Sequence, residues 1–453
     1  MYLLTKKANI PDISYINLPA SKSESNRVLI IQALFSFFQG NKNISENNNE
    51  NNSPKPILSN ISAANDTVVL QNLLKKITEF STFSDNLSPK NLVLDAQDAG
   101  TTFRFLTAFC VATRTYATLT GTPRMQERPI GILVDALREL GADIEYLQKD
   151  GFPPIKINAF DQKTAQITLR ADVSSQFISA LLMIAPTLDK GLTINLLGKV
   201  SSKPYIMMTL AQMQDFGIKN TNNLNENTDN LENKNIVVLP QKYQMQDFFI
   251  ENDWSAASYW YLVASLCPDK TFVINGLKKK SLQGDSKIAE IMLLFGVETI
   301  FLENGIEIKT KSDFKIKNDV SDNIFIDFSD CPDLAQTVVA LCAIKRIPLK
   351  MSGLESLLIK ETDRIKALNN EINKISCSLE KENNYWYMKM IDNQDDNQNI
   401  IFNTYEDHRM AMAFAPLALV LGNISIENPS VVKKSYPNFW EELGKIVDFS
   451  VNN

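Results

Sequence analysis

Basic, hydroxyl and acidic side chains gather at recurrent places in the chain, each at the head of an apolar run: Lys22, Ser23 and Arg27; Thr101 and Arg104; Ser174, Ser175 and Gln176; Asp333; His408 and Arg409. A second series adds Arg124 and Arg128, Ser202 and Tyr205, Lys360, Glu361 and Arg364, and Lys434. A cation in the first turn of a helix opposes the positive end of the macrodipole and costs a few tenths to about 1 kcal/mol, whereas free N–H groups there favour an anion. Taken singly, such a cation is a solvated or paired side chain. Repeated along the chain, the placement calls for an anionic ligand. Serine at a helix start is a good N-cap, but Ser174, Ser175 and Gln176 offer three consecutive polar side chains where one would suffice. In the segment KETDR, Glu361 stands between Lys360 and Arg364, so a carboxylate can exchange protons while its neighbours grip an anion. The plain alternative is an ion-pair ladder on a wet helix.

Other chemistries are excluded by what the sequence lacks. There is no G-x-x-x-x-G-K-[ST], G-x-G-x-x-G or G-x-S-x-G segment, so no nucleotide loop or nucleophile elbow explains the anion site. A lone histidine, His408, removes mechanisms that need two imidazoles, and with them His-rich metal sites. The cysteines Cys110, Cys267, Cys331, Cys342 and Cys377 are scattered and never spaced C-x-x-C, which predicts reduced, buried thiols rather than disulfides or a zinc knuckle. No metal and no cofactor is expected. A formal net charge of -6 argues against general nucleic-acid binding. The longest near-continuous apolar stretch, Met410–Gly422, is short of the roughly 18 residues that span a membrane, and MYLLTKKANIPD has no apolar signal region. A cytoplasmic monomer with small-molecule partners, and neither nucleic acid nor membrane, is the expectation.

The elements that must position these side chains repeat. Six cassettes, each a polar cluster followed by an Ala- and Leu-rich run, begin at Ser21, Asp98, Ser174, Ser255, Pro332 and Asp407, spaced 77, 76, 81, 77 and 75 residues apart. That period is too long for a solenoid repeat. A second, amphipathic helix follows in each unit, as in QERPIGILVDALRELGADI, with apolar residues at i, i+3, i+4 and i+7. Three of these close on an apolar–Gly–apolar triplet (Leu140-Gly141-Ala142, Phe216-Gly217-Ile218, Phe295-Gly296-Val297), the mark of a helix C-cap running into a strand. Runs such as KNIVVLP, KTFVIN and NIFIDF read as strands. The 453 residues, 44% of them hydrophobic, can fill more than one core. Six α/β repeats in two domains of three are predicted. Three Asn-rich stretches, 41–54, 220–235 and 392–399, are too polar to bury and read as loop insertions.

The segments LPASKSESNR, DAGTTFR, LTGTPRMQERP, SSQF, SKPY, GDSKIAE, PDLAQT, KETDR, YEDHRMAM and VKKSYPNFWEEL, in that order from about Pro19 to Leu443, resemble the successive signatures of the EPSP synthase (3-phosphoshikimate 1-carboxyvinyltransferase) family. The resemblance implies a two-domain inside-out α/β prism of six βαβαββ-type repeats. Residues 1–20 and 246–453 would form one discontinuous domain and 21–245 an inserted second one, with the active site in the cleft between them. The implied reaction moves the carboxyvinyl group of phosphoenolpyruvate to the 5-hydroxyl of shikimate 3-phosphate and releases phosphate.

Motif by motif, the resemblance assigns phosphoenolpyruvate to Lys22, Gly100, Arg128, Gln176, Arg364, Arg409 and Lys434. It assigns shikimate 3-phosphate to Lys22, Ser23, Arg27, Ser174, Ser175, Gln176, Ser202, Tyr205, Asp333, Ser356 and Lys360. Asp333 is the implied general base, Lys22 and Glu361 the groups that protonate the enol carbon and the departing phosphate, and His408 a support for Arg409. Asp98, Met207, Ser356 and Leu358 depart from the residues common in the family. Two rivals stand beside this reading: UDP-N-acetylglucosamine carboxyvinyltransferase, which uses a cysteine in the loop corresponding to LTGTPRMQERP, and a non-catalytic binder of phosphate ligands on the same scaffold.

Overall fold

The structure, a computed structural model, describes residues 1–40, 57–83, 92–170, 174–198, 200, 202–224, 234–312, 314, 324–391 and 399–451. Two compact units are formed, one from residues 1–21 and 251–453, the other from 22–250. The second crossing of the chain falls after Ile250 rather than after residue 245. Phe248–Phe249 pairs in parallel with Leu58–Ser59, and the Ile250 amide donates to the Ser59 carbonyl, which ties 246–250 to the inserted unit.

One strand order recurs throughout. In the 22–250 unit, Leu92–Asp95 runs parallel to Ala117–Thr120, which is antiparallel to Ile155–Phe160, itself antiparallel to Ala142–Tyr146. Gln166–Arg170, Leu192–Leu197, Lys234–Val238 and Asn220–Asn222 repeat that order and polarity, and Leu58–Ser59 with Phe248–Phe249 supplies its parallel pair. The other unit uses the order three times. Its sheets are Ile13–Ile16, Thr271–Asn275, Gly305–Thr310, Val297–Leu302; Ile324–Asp327, Leu349–Ser352, Tyr385–Met390, Cys377–Glu382; and Ile400–Phe402, Ile424–Ile426, Tyr2–Lys6, Val447–Val451. Five sheets carry the full order and the sixth shows its parallel pair among the described residues, in line with the six repeats that the cassette spacing predicts. The Asn-rich stretch at 220–235 begins and ends inside paired strands, so only its middle lies between elements; 41–54 and most of 392–399 fall outside the described residues.

Alternation explains the sheets: Leu92 and Leu94, or Ile167 and Leu169, are buried while their neighbours face water. The two helix series differ as their sequences do. Gly100–Ala112 and Trp254–Leu266 are buried on nearly all sides, as a helix apolar all round must be. Lys22–Gly40, Gly100–Ala112 and Ser175–Ile184 contact one another pairwise, and so do Trp254–Leu266, Ala335–Ile344 and His408–Phe414. Each unit therefore has three central helices and sheets that bury one face. The outer helices carry a stripe, as in Gly131–Leu140 with Leu133, Val134, Ala136, Leu137 and Leu140 buried. That helix stops at Gly141, whose φ of 114° and close approach to the Asp161 carbonyl leave no room for a side chain. No helix among the described residues is long and apolar enough to cross a membrane.

Candidate active site

In the unit of 1–21 and 251–453 the polar helix starts converge on Arg364. Asp363 caps helix Arg364–Asn373 by accepting from the Lys366 amide, so the helix begins at Arg364. Lys360 and Glu361 therefore sit in the turn ahead of the helix, not on it as the sequence pattern predicts. Released from helical geometry, Glu361 Oε2 folds back to Arg364 Nη2 at 2.8 Å and its Oε1 lies 3.4 Å from Lys434 Nζ. Lys434 ends the turn Pro429–Lys434 and precedes helix Phe439–Leu443 rather than opening it. Arg364, 2% exposed, also donates from Nε to Asp407 Oδ2 at 2.6 Å and from Nη1 to Asp333 Oδ1 at 2.8 Å.

Asp333 lies in the turn Pro332–Leu334 that leads into helix Ala335–Ile344. Arg409 Nη2 approaches its Oδ2 at 2.9 Å, and Lys360 Nζ its Oδ1 at 3.6 Å. Burial by itself would raise the Asp333 carboxyl, but Arg409, Lys360 and Arg364 outweigh it and hold the group well below the usual carboxylate range. Asp333 is thus ionised at neutral pH. Burial lowers the Lys360 ammonium, against the pull of Asp333. Arg364, among three carboxylates, is raised despite its burial. Asp407 caps helix His408–Phe414 through the Arg409 amide, and His408 Nδ1 is buried 3.7 Å from Asp407 Oδ1. The Ser356 hydroxyl, in the turn Glu355–Ile359, has no hydrogen-bond partner among the described residues.

In the 22–250 unit Lys22, the first residue of its helix, reaches Asp66 Oδ2 at 3.1 Å, while the Asp66 carbonyl accepts from Thr102 Oγ1. Arg104 Nη1 donates to the Gly100 carbonyl at 3.0 Å and to Gln176 Oε1 at 3.1 Å, with Phe177 under its guanidinium, and Gln176 Nε2 donates to Thr101 Oγ1. Gly100 is where both arginine forks press on the backbone. A Cβ there would stand 2.6 Å from Arg128 Nη1 and 2.7 Å from Arg104 Nη1. Lys22, Gly100, Arg128 and Gln176 are thus set around the start of one helix.

The buried Arg27 forms a second centre: Nε donates to Thr209 Oγ1 at 2.7 Å, Nη1 to the Ser23 carbonyl at 2.8 Å and Nη2 to Ser179 Oγ at 3.1 Å, with Phe105 and Tyr205 rings against it. Burial pulls its pKa down to about 10, so it stays charged, and no carboxylate among the described residues pairs with it within 4 Å. Ser174 caps helix Ser175–Ile184 through the Gln176 amide at 3.4 Å, which leaves Ser175 as the first helical residue. Ser202, at φ 52°, precedes helix Lys203–Asp215, and its carbonyl accepts from the Tyr205 amide.

Several partners escaped the sequence reading. Asp66 and Asp407 open helices, where an acidic residue reads as a dipole complement; their ion pairs depend on residues far along the chain. Arg104 was visible as a helix-start cation but not as the group joining Gly100 to Gln176. The hydroxyls of Ser179 and Thr209 lie inside apolar helix sequences and gave no signal.

A Gly100→Ala chain tests the crowding: the added methyl must push both forks outward, a displacement worth about 1–3 kcal/mol. The variant should be less stable than the wild type by about that amount, as read by urea unfolding, and an unchanged midpoint would show that the forks move aside freely.

Residues 13–443 match the family model for EPSP synthase (3-phosphoshikimate 1-carboxyvinyltransferase). The chain is 43% identical over 447 residues to the 3-phosphoshikimate 1-carboxyvinyltransferase of Bacteroides fragilis strain YCH46, covering 98% of this chain and 97% of that one. It is 35% identical over 353 residues to the enzyme of the same name from Methanospirillum hungatei JF-1, covering 78% and 79%. Its fold is similar to a solved EPSP synthase from Acinetobacter baumannii, with a TM-score of 0.70 at 17% identity over 99% of this chain and 100% of the other. With the model spanning nearly the whole sequence and relatives this similar, the chain belongs to the EPSP synthase (3-phosphoshikimate 1-carboxyvinyltransferase) family.

Proposed function

We propose that the chain transfers the carboxyvinyl group of phosphoenolpyruvate to the 5-hydroxyl of shikimate 3-phosphate, and that Asp333 is the base. The observation that supports this most is the Asp333 carboxylate, kept ionised by three cations that are themselves suited to anionic substrates. As the family resemblance implies, phosphoenolpyruvate is taken by Arg364, Arg409, Lys434, Lys22, Gly100, Arg128 and Gln176. Arg27, a buried cation with no carboxylate within 4 Å among the described residues, takes an anionic group of shikimate 3-phosphate together with Lys22, Ser23, Ser174, Ser175, Gln176, Ser202, Tyr205, Ser356 and Lys360.

Asp333 begins as a weak base because its cations neutralise it. When substrate anions engage Arg409, Arg364 and Lys360, less of that field falls on the carboxylate and its proton affinity climbs. It then takes the 5-hydroxyl proton as the oxygen bonds to C2 of phosphoenolpyruvate, and Lys22 or Glu361 delivers a proton to C3. In the second half C3 gives its proton back to the group that supplied it, the double bond returns and the C2–O bond to phosphate breaks; the other member of the pair protonates the departing phosphate and is recharged through solvent by the proton that Asp333 took. Glu361 is held between Lys434 and Arg364, two of the cations assigned to phosphoenolpyruvate on its own unit.

The UDP-N-acetylglucosamine rival has no support at its cysteine. Gly121–Pro129 contains none, and burial pushes the Cys110 thiol up to about 12. Phosphate release assayed with each substrate alone and with both tests the reading. Release only with both is expected. Release with UDP-N-acetylglucosamine in place of shikimate 3-phosphate would overturn it.

A further inference from the structure

Asp285 lies in the turn Gly284–Lys287 ahead of helix Ile288–Leu293, is 1% exposed, and has no part in the chemistry above. Its Oδ2 accepts a hydrogen bond from the Ser255 hydroxyl, and its Oδ1 is buried without a hydrogen-bond partner. Ser255 Oγ accepts in turn from Arg409 Nη2 at 3.4 Å, and that same nitrogen stands 2.9 Å from Asp333 Oδ2. A half-satisfied buried carboxyl is costly. Ser255, the second residue of helix Trp254–Leu266, is the link between it and the arginine.

The groups facing Asp285 come from every element around it. Burial first, then the negative charges of Asp333 and Asp253, push its carboxyl up to about 7, while Arg409 and the Ser255 hydrogen bond oppose them. The Cys331 thiol, driven up by its own burial, is uncharged there. Asp285 therefore changes charge near neutral pH, between an Asp333 that is ionised and a Cys331 that is not.

We propose that Asp285 is a positioning residue that fixes the Arg409 guanidinium for phosphoenolpyruvate through the Ser255 hydroxyl. An ionised carboxylate only accepts, so Ser255 must donate to it and turn its lone pairs toward Arg409. A protonated Asp285 can itself donate, which frees the serine hydrogen and loosens the hold on Nη2. The inference rests on the assignment of Arg409 to phosphoenolpyruvate made above.

The test is steady-state kinetics of Asp285→Asn, Ser255→Ala and the double variant, with each substrate varied, between about pH 6 and pH 9. At the alkaline end either single variant should raise phosphoenolpyruvate KM about tenfold, the size of losing a hydrogen bond to a charged group, and leave shikimate 3-phosphate KM unchanged. The double variant should be no worse than the singles. Wild-type kcat/KM for phosphoenolpyruvate should rise with pH through about 7, where Asp285 ionises, and in Asp285→Asn that step should be missing. Ser255→Ala leaves Asp285 in place and keeps the test open if Asp285→Asn does not fold. Variants with unaltered phosphoenolpyruvate KM, a pH step that persists, or equal losses for both substrates would overturn the positioning role while the functional reading stands. A wild type that releases no phosphate from the two substrates overturns the functional reading and this assignment with it.

Discussion

Asp333→Asn is expected to bind shikimate 3-phosphate as the wild type does and to turn over roughly 10²- to 10⁴-fold more slowly, the range that general-base catalysis supplies. Asparagine keeps the size and one acceptor oxygen but cannot take the 5-hydroxyl proton. The competing role is that of an acidic residue at a helix start, worth about 0.3–1 kcal/mol of stability and nothing in rate. Calorimetric binding of shikimate 3-phosphate beside steady-state turnover separates the two. Retention of more than about a tenth of wild-type turnover, far outside that range, would make Asp333 a binding or capping residue and move the search for the base to Glu361.

Arg364→Leu should have the largest effect on stability. One buried guanidinium satisfies Asp333, Glu361 and Asp407 at 2.6 to 2.8 Å, and removing one partner of a buried ion pair costs about 3–5 kcal/mol because the remaining charges are left uncompensated. Lysine would not replace it, since a single ammonium cannot reach three carboxylates in fixed directions. The pH dependence follows from Asp333. Its folded-state pKa lies below the ordinary value of 3.8, so it adds stability above about pH 4 that disappears as the pH falls further. The deficit of the variant should be full at neutral pH and shrink below about pH 4. Urea unfolding across that range measures it, and a neutral-pH loss under about 1 kcal/mol, the value of an exposed pair, would show that the carboxylates are compensated by other groups.

How much the sequence could reveal depended on whether the signal was local. The six central helices were legible because a polar start and an apolar run lie within about fifteen residues of one another. The grouping of Asp333, Glu361, Arg364, Arg409 and Lys434 was implied by the family resemblance and by no local pattern. The helix boundary at Arg364 was misplaced because Asp363 takes the cap, a competition between Asp363 and its neighbours that the pattern does not resolve. The pairings Lys22–Asp66 and Arg364–Asp407 join elements more than forty residues apart in the sequence. Likewise Tyr2–Lys6 and Ile13–Ile16 fill places in two different sheets, and Phe248–Phe249 closes a third, by long-range register that no run of residues announces.

Carboxyvinyl transfer itself is tested most directly by running the reaction in deuterium oxide and examining the product by NMR and mass spectrometry. The expected product is a vinyl ether at the 5-oxygen of shikimate 3-phosphate, formed in equal amount with phosphate and carrying deuterium at the methylene carbon, because C3 is protonated and deprotonated on the way. Phosphate released with no vinyl ether, or a vinyl ether without deuterium, would contradict it.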